Sequence, residues 1–274
     1  MRLMMQRVKQ ILVLVFVLAA VTAISFAQRR GRWRDFTTSD RYGVPEWTHP
    51  AGFEKDTFTF ARVRYNSGYY RGGGWATDYR DADLNLSFRL QQLTAMQVDP
   101  EGKVIELTDP DLSSYPFIYI IEPGALEFSE QEVSALQKYL LNGGFLMVDD
   151  FWGEEEGDNL FREMKRVFPN REPMELPPDH SIFHCVFDLK EKPQIPGVGA
   201  WLRYGVTYER YDAKTVEYKG IFDDKGRMMV IICHNTDLGD GWEEEATNPD
   251  YFRQFSEKYA YPLAINIFFY AMTH

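Results

Sequence analysis

Three short runs in this chain leave no side for water. Phe117–Glu122 (FIYIIE) is apolar until its closing glutamate, and Phe145–Val148 (FLMV) and Met228–Cys233 (MMVIIC) are apolar throughout. A strand with one wetted face alternates apolar and polar residues, so a strand without alternation must be covered on both sides. The segments between these runs supply the cover. Ser129 and Glu132 have the spacing of a capping box, and Val133, Leu136 and Leu140 make an apolar stripe that Asn142-Gly143 ends. Upstream, Leu86, Leu90 and Leu93 recur at helical spacing, with Asp81 or Asp83 placed to cap the start. Buried strands alternating with amphipathic helices define an α/β fold with a mainly parallel sheet between two helical layers.

The rest of the chain fits around that frame. Thr57–Tyr65 (TFTFARVRY) is rich in β-branched and aromatic residues and is predicted as the first strand, and Lys103–Leu107 as another. A glycine-aromatic loop, residues 66–81, lies between them. Asn248-Pro249 opens a terminal helical region in which Pro262 marks a kink or a second start. Before all this comes a targeting segment: Arg2, Arg7 and Lys9 precede the uncharged run Ile11–Phe26, and Ser25-Phe26-Ala27 has small residues where a signal peptidase cuts. Residues 1–27 are therefore expected to be a signal peptide, 28–55 a polar linker and 56–274 one domain. The destination is periplasmic or extracellular. An uncleaved membrane anchor is the alternative, kept open by the basic cluster Arg29, Arg30, Arg32 and Arg34. The formal charge of −11 makes nucleic acid an unsuitable partner, since phosphates need clustered Lys and Arg. The two cysteines, Cys185 and Cys233, are each flanked by apolar residues and read as buried thiols or as a disulfide.

In an open parallel sheet, ligands sit outside the carboxyl ends of the strands. The unusual residues gather there. The first strand leads to Asn66 and, through the glycine loop, to Trp75. FIYIIE delivers Glu122, FLMV delivers Asp149 and Asp150, and MMVIIC delivers His234, Asn235 and Asp237. The expectation is one cleft in which Asp149, Asp150 and His234 are the acid/base or ligand groups, and Asn66, Trp75, Glu122, His180, Asn235 and Asp237 contact the ligand. Each has a structural alternative. The aspartates can cap a helix, and the aromatic loop can close over a sheet edge. His180 and His184 lie four apart, but Pro177-Pro178 argues against the helix that a zinc pair would need. Asp237, Asp240 and Glu243–Glu245 lack the regular spacing of a calcium loop. No cofactor is demanded by the sequence, although neighbouring carboxylates in one cleft must either keep a proton or take up a divalent cation.

Three segments, residues 115–153, 163–184 and 226–243, resemble in order the domain of unknown function 4159 family. That resemblance spans Thr57 to the C-terminus. It implies a flavodoxin-like three-layer sandwich of the class I glutamine amidotransferase-like kind. True amidotransferases carry their nucleophile in a Gly-x-Cys-x-Gly elbow; here the matching stretch reads MVDDFWG, with Asp149 or Asp150 in place of cysteine. With the leader-like segment, the resemblance leads to the reading of an exported domain without the cysteine chemistry, a binding component of an envelope assembly. Its expected partners are von Willebrand type A or MoxR-type proteins, beside which relatives occur. The alternative is a hydrolase acting on a carbohydrate or other envelope substrate, as analogy with ThuA-like proteins of the broader fold would have it.

Cleavage after Ala27 predicts a mature chain that begins at Gln28. Intact-mass measurement of the protein recovered from the culture medium or periplasm checks this; retention of residues 1–27 would mean an anchor.

Overall fold

The computed structural model describes residues 41, 43–49, 52, 56–67 and 74–274. The segment expected to be a signal peptide, and most of the stretch expected as a linker, lie outside them. Of that stretch, Arg41, Trp47 and His49 hold to the domain. The Trp47 indole and the His49 ring both reach the Val98 carbonyl, at 2.6 and 2.7 Å, and Arg41 reaches the Pro100 carbonyl at 2.9 Å.

The chain lays down β1 (Thr57–Phe58), β2 (Ala61–Val63), α1 (Asp81–Leu93), β3 (Gln97–Val98), β4 (Lys103–Ile105) and β5 (Phe117–Ile121). Next come α2 (Glu130–Leu141), β6 (Phe145–Asp149), α3 (Gly153–Val167), β7 (Met174–Glu175) and α4 (Val198–Tyr204). The last elements are β8 (Glu217–Phe222), β9 (Met228–His234), α5 (Leu238–Glu243), α6 (Pro249–Tyr251), a π-helical stretch Phe252–Ala260, and α7 (Tyr261–Thr273). The expected first strand is in fact two. Phe58 and Phe60 each give their carbonyl to a chain that turns over between Asp99 and Lys103, so β1 pairs with β3 in a separate two-stranded sheet while β2 pairs with β4.

The main sheet has the order β4-β2-β5-β6-β9-β8-β7. Its first five strands are parallel, and β8 runs antiparallel to both β9 and β7. The parallel part has the flavodoxin-like order, with the reversal at β2, so a crevice is expected beside the ends of β2 and β5. Strand periodicity divides the core in two. Phe60, Phe117, Tyr119, Phe145, Met147 and Ile231 meet α1, α5 and α7 on one face. Ala61, Val63, Ile118, Ile120, Leu146, Val148 and Ile232 meet α2 and α3 on the other. The Ser129–Glu132 capping box forms at the start of α2, and Gly143, at φ +105°, follows its end. Pro262 stands in the first turn of α7, just after the π-helical stretch; with no N–H to give, it cannot continue the ordinary ladder from the preceding turn.

One residue of β2 breaks the apolar rule. Arg62 shares its parity with Phe60 and is completely buried. It forks onto Asp83 of α1, with Nε 3.0 Å from Oδ1 and a second contact from Nη2 at 2.5 Å. Nη1 donates to the carbonyls of Trp75, at 3.1 Å, and Thr77, at 2.8 Å, while the guanidinium lies over the Tyr119 ring. Burial pulls its pKa down, but the charge and hydrogen bonds of Asp83 more than offset this, so it stays charged. The pair holds α1 and the 74–80 loop to the sheet together.

Removing one partner of a buried pair strands the other charge. Asp83→Asn should lower the unfolding free energy by about 3–5 kcal/mol, measured by urea denaturation. A loss under about 1 kcal/mol would show that the pair is not holding the loop.

Candidate functional site

The ends of the parallel strands share a backbone peculiarity. Among the described residues, the non-glycine positions with positive φ are Asp78 (57°), Glu122 (46°), Asp150 (53°) and Asn235 (61°). Glu122, Asp150 and Asn235 directly follow β5, β6 and β9, and Asp78 sits on the loop that Arg62 holds. A left-handed backbone costs an ordinary side chain roughly 1–2 kcal/mol, and such costs concentrate at functional sites.

Acid groups converge here. Asp149 closes β6 on the face of Tyr119 and is fully buried. Its Oδ2 accepts from the Tyr119 hydroxyl at 3.1 Å and from the amides of Leu238 and Gly239 at 2.9 and 3.1 Å. Asp149 is thus a cap, and it caps α5, ninety positions on, rather than the helix that follows it. Asp237, the N-cap of α5, accepts from the Asp240 amide at 2.7 Å, and Asp240 accepts from the Val198 amide at 2.6 Å. Asp78 comes in from the other side. Its Oδ2 lies 2.4 Å from where a Cβ at Gly239 would stand, so only glycine permits this approach. Carboxylate oxygens of Asp78, Asp237 and Asp240 lie within 4.8 Å of one another. Glu122 accepts from the Gly74 amide at 2.6 Å, and Asp150 accepts from the Trp152 indole at 2.8 Å.

Crowding and burial keep these acids from ionising freely. Asp149 is raised to about 7 by burial, against the Tyr119 hydroxyl and the α5 amides, which favour its charged form. Glu122 is raised to about 7 by burial and by Glu156 and Glu209, despite the Gly74 amide and the Thr77 hydroxyl. Asp240 reaches about 7 through burial and the charges of Glu243, Glu244 and Glu209. Asp150 is raised by burial, then by Glu122 and Asp78; Asp237 by burial, then by Asp150 and Asp240; Asp78 by burial, then by Asp240 and Glu243. Asp78, Asp150 and Asp237 each respond to the charge of another member, so these titrate together. A set of this kind either shares protons or welcomes positive charge.

The structure brings Asp149, Asp150, Glu122 and Asp237 together and leaves other expected residues elsewhere. His234 shares the parity of Val230 and Ile232 and turns to the α3 face. There it stacks on Phe151, with centroids 4.6 Å apart, meets the Gly153 carbonyl at 3.0 Å, and lies 3.3 Å from Glu217. Asn235 is spent on structure, accepting from the Gly153 amide at 2.8 Å and donating to the Thr215 carbonyl at 2.8 Å. Gly153, at φ +74°, leaves no room for a Cβ beside Asp212. His180 caps a short turn through the Ile182 amide and packs on Tyr270; burial lowers its pKa. Asn66 is exposed and gives its carbonyl to the Glu127 amide. Trp75 packs against Tyr79 and against the α2/α3 side of the core. Both cysteines are free. Cys233 is buried in the core with its thiol pKa raised by desolvation, and Cys185 donates to the Asn266 carbonyl at 3.3 Å. Neither stands at a strand-to-helix turn. Asp78 and Asp240 enter the site without having been expected in it.

The model of the family described as Domain of unknown function (DUF4159) matches residues 59–272, and the chain belongs to that family. No curated protein matches it.

The raised carboxyls carry a pH signature of definite sign. Glu122, ordinarily near 4.5, keeps its proton to about 7 when folded. Below about 4.5 both states are protonated and it costs nothing. As pH rises to 7 the unfolded state ionises first, and stability is lost. Glu122→Gln should therefore gain on the wild type between pH 4.5 and 7 in urea midpoints. A wild-type-minus-variant difference that stays flat across that window would contradict the assignment.

Proposed function

We propose that the protein is an exported ligand-binding domain of an envelope assembly, glutamine amidotransferase-like in fold but without the thiol chemistry, whose acidic strand-end pocket takes a positively charged group. The observation that carries the reading is the convergence of Asp78, Glu122, Asp149, Asp150, Asp237 and Asp240 from four loops onto one crevice, with no thiol among them. Thiol-dependent amide transfer needs a cysteine nucleophile, which this crevice lacks; a crowd of carboxylates instead lowers the free energy of a cation. The leader-like first 27 residues support export, and the resemblance to proteins found beside von Willebrand type A and MoxR-type partners supports a place in an envelope assembly. Among the described residues no helix is long and apolar enough to cross a membrane, so membrane attachment would have to come through the N-terminal segment.

A second reading, hydrolysis of a carbohydrate or related envelope substrate, is favoured by one feature. Asp150 occupies the strand-to-helix turn with a left-handed backbone and a carboxyl that holds its proton, as a general acid must. In that reading its partner is Glu122 rather than His234, which turns to the opposite face of the sheet.

The binding reading predicts that spermidine and glucosamine raise the melting temperature of the full chain while inorganic phosphate does not, and that the Cys185→Ala, Cys233→Ala double variant responds in the same way. It also predicts no turnover of glutamine or of p-nitrophenyl glycosides. Stabilisation by phosphate alone would refute it, and glycoside turnover that disappears in Asp150→Asn would replace it with the hydrolase reading.

A further inference from the structure

We propose that Asp78, Asp237 and Asp240 form a divalent-cation site of the hard, oxygen-ligated kind, suited to Ca²⁺, Mg²⁺ or Mn²⁺. This deepens the reading of the strand-end pocket as a place for positive charge, and it rests on that reading. The three carboxylates present oxygens within 4.8 Å of one another, a spacing that one ion can bridge at the 2.0–2.6 Å typical of such bonds. The protein has already used some of their oxygens. Asp237 Oδ1 holds the Asp240 amide and Asp240 Oδ2 holds the Val198 amide, which fixes both side chains and leaves one oxygen on each for a ligand.

Two orphaned oxygens point to a missing partner. Asp78 Oδ2 is sealed from solvent and has no hydrogen-bond partner. Asp149 is completely buried, and its Oδ1 likewise has none. The other oxygen of Asp149 is anchored on the amides of Leu238 and Gly239, the two residues between Asp237 and Asp240. It therefore forms the floor of the same cluster. A buried carboxylate oxygen left unpaired costs on the order of 1–3 kcal/mol or more, and native structures rarely leave one without a reason. A cation would remove the cost for Asp78 directly and offset the repulsion that Asp149 and Asp150 exert on Asp237.

The donor set narrows the ion. All three ligands are carboxylates, with no histidine or cysteine, which favours Ca²⁺, Mg²⁺ or Mn²⁺ over zinc or copper. Asp78 is held by the loop whose Trp75 and Thr77 carbonyls Arg62 grips, while Asp237 and Asp240 are held by α5. An ion would thus tie the β2 side of the crevice to the β9 side.

The test is calorimetric titration of the chelator-treated full chain with MnCl₂, CaCl₂ and MgCl₂ separately. The expected result is one ion per chain for at least one of them. Asp78→Asn should weaken it by about tenfold or more, the scale set by losing even an outer partner of a metal site. Asp240→Asn, which keeps an oxygen for the Val198 amide, should weaken it similarly and serves if Asp78→Asn does not fold. Asp224→Asn, an exposed residue paired with Arg171 away from the crevice, should leave it unchanged. Silence of the wild type towards all three ions would overturn the metal site, and so would undiminished binding by the folded Asp78→Asn or Asp240→Asn variant. Stabilisation by spermidine or glucosamine in the absence of metal binding would leave the pocket reading standing and remove only the ion.

Discussion

Arg62 and Asp83 form an ion pair inside the protein, on the inner face of a parallel strand, and the site follows from it. A lone charge at that depth would be prohibitive, and the fork onto Asp83 makes it tolerable. What the pair adds is position. The guanidinium has donors to spare after Asp83, and it spends them on the carbonyls of Trp75 and Thr77. The loop carrying Asp78 is thereby held against Tyr119 and Gly239. Glu122, through the Gly74 amide, and Trp75, packed on the core, add further holds on the same loop.

The other half of the pocket is built by caps. Asp149 satisfies the first amides of α5, Asp237 satisfies the next turn, and Asp240 satisfies the start of α4. Capping and ligand binding are therefore not alternatives here. A carboxylate has two oxygens, and one fixed by an amide orients the other. The same economy explains the raised carboxyl pKa values: the fold gathers acids by their neutral or hydrogen-bonded oxygens and leaves their charge uncompensated. The four left-handed backbones at Asp78, Glu122, Asp150 and Asn235 are the local cost of aiming those side chains inward or of closing the turns beside them.

Much of this was legible in the sequence, and the limits have physical causes. The runs FIYII, FLMV and MMVIIC announced a sheet covered on both faces, and the ends of those strands announced Glu122, Asp149, Asp150 and Asp237. The placing of His234 beside them ignored the two-residue period of a strand. Counting from Val230 and Ile232 puts His234 on the α3 face, while counting from Phe145 and Met147 puts Asp149 on the other. Asp78 was hidden because its position depends on Arg62, sixteen residues away, and on a glycine at 239, neither of which leaves a local pattern. Asp240 was visible only as part of an acidic turn. Strands β7 and β8 escaped because β7 is two exposed residues and β8 interleaves half-buried Glu217 and Lys219 with buried ones, so neither has a continuous apolar run to betray it. The division of TFTFARVRY into two strands was set by a tertiary partner, the turn between Asp99 and Lys103.

The central claim is that the strand-end carboxylates, held by Arg62 on one side and α5 on the other, form a single site for positive charge. Anomalous diffraction from crystals soaked in manganese tests it most directly. The account predicts a peak among Asp78, Asp237 and Asp240, within bonding distance of Asp78 Oδ2. A manganese peak confined to Glu243 and Glu244, or crystals that show none in the crevice at saturating manganese, would contradict it.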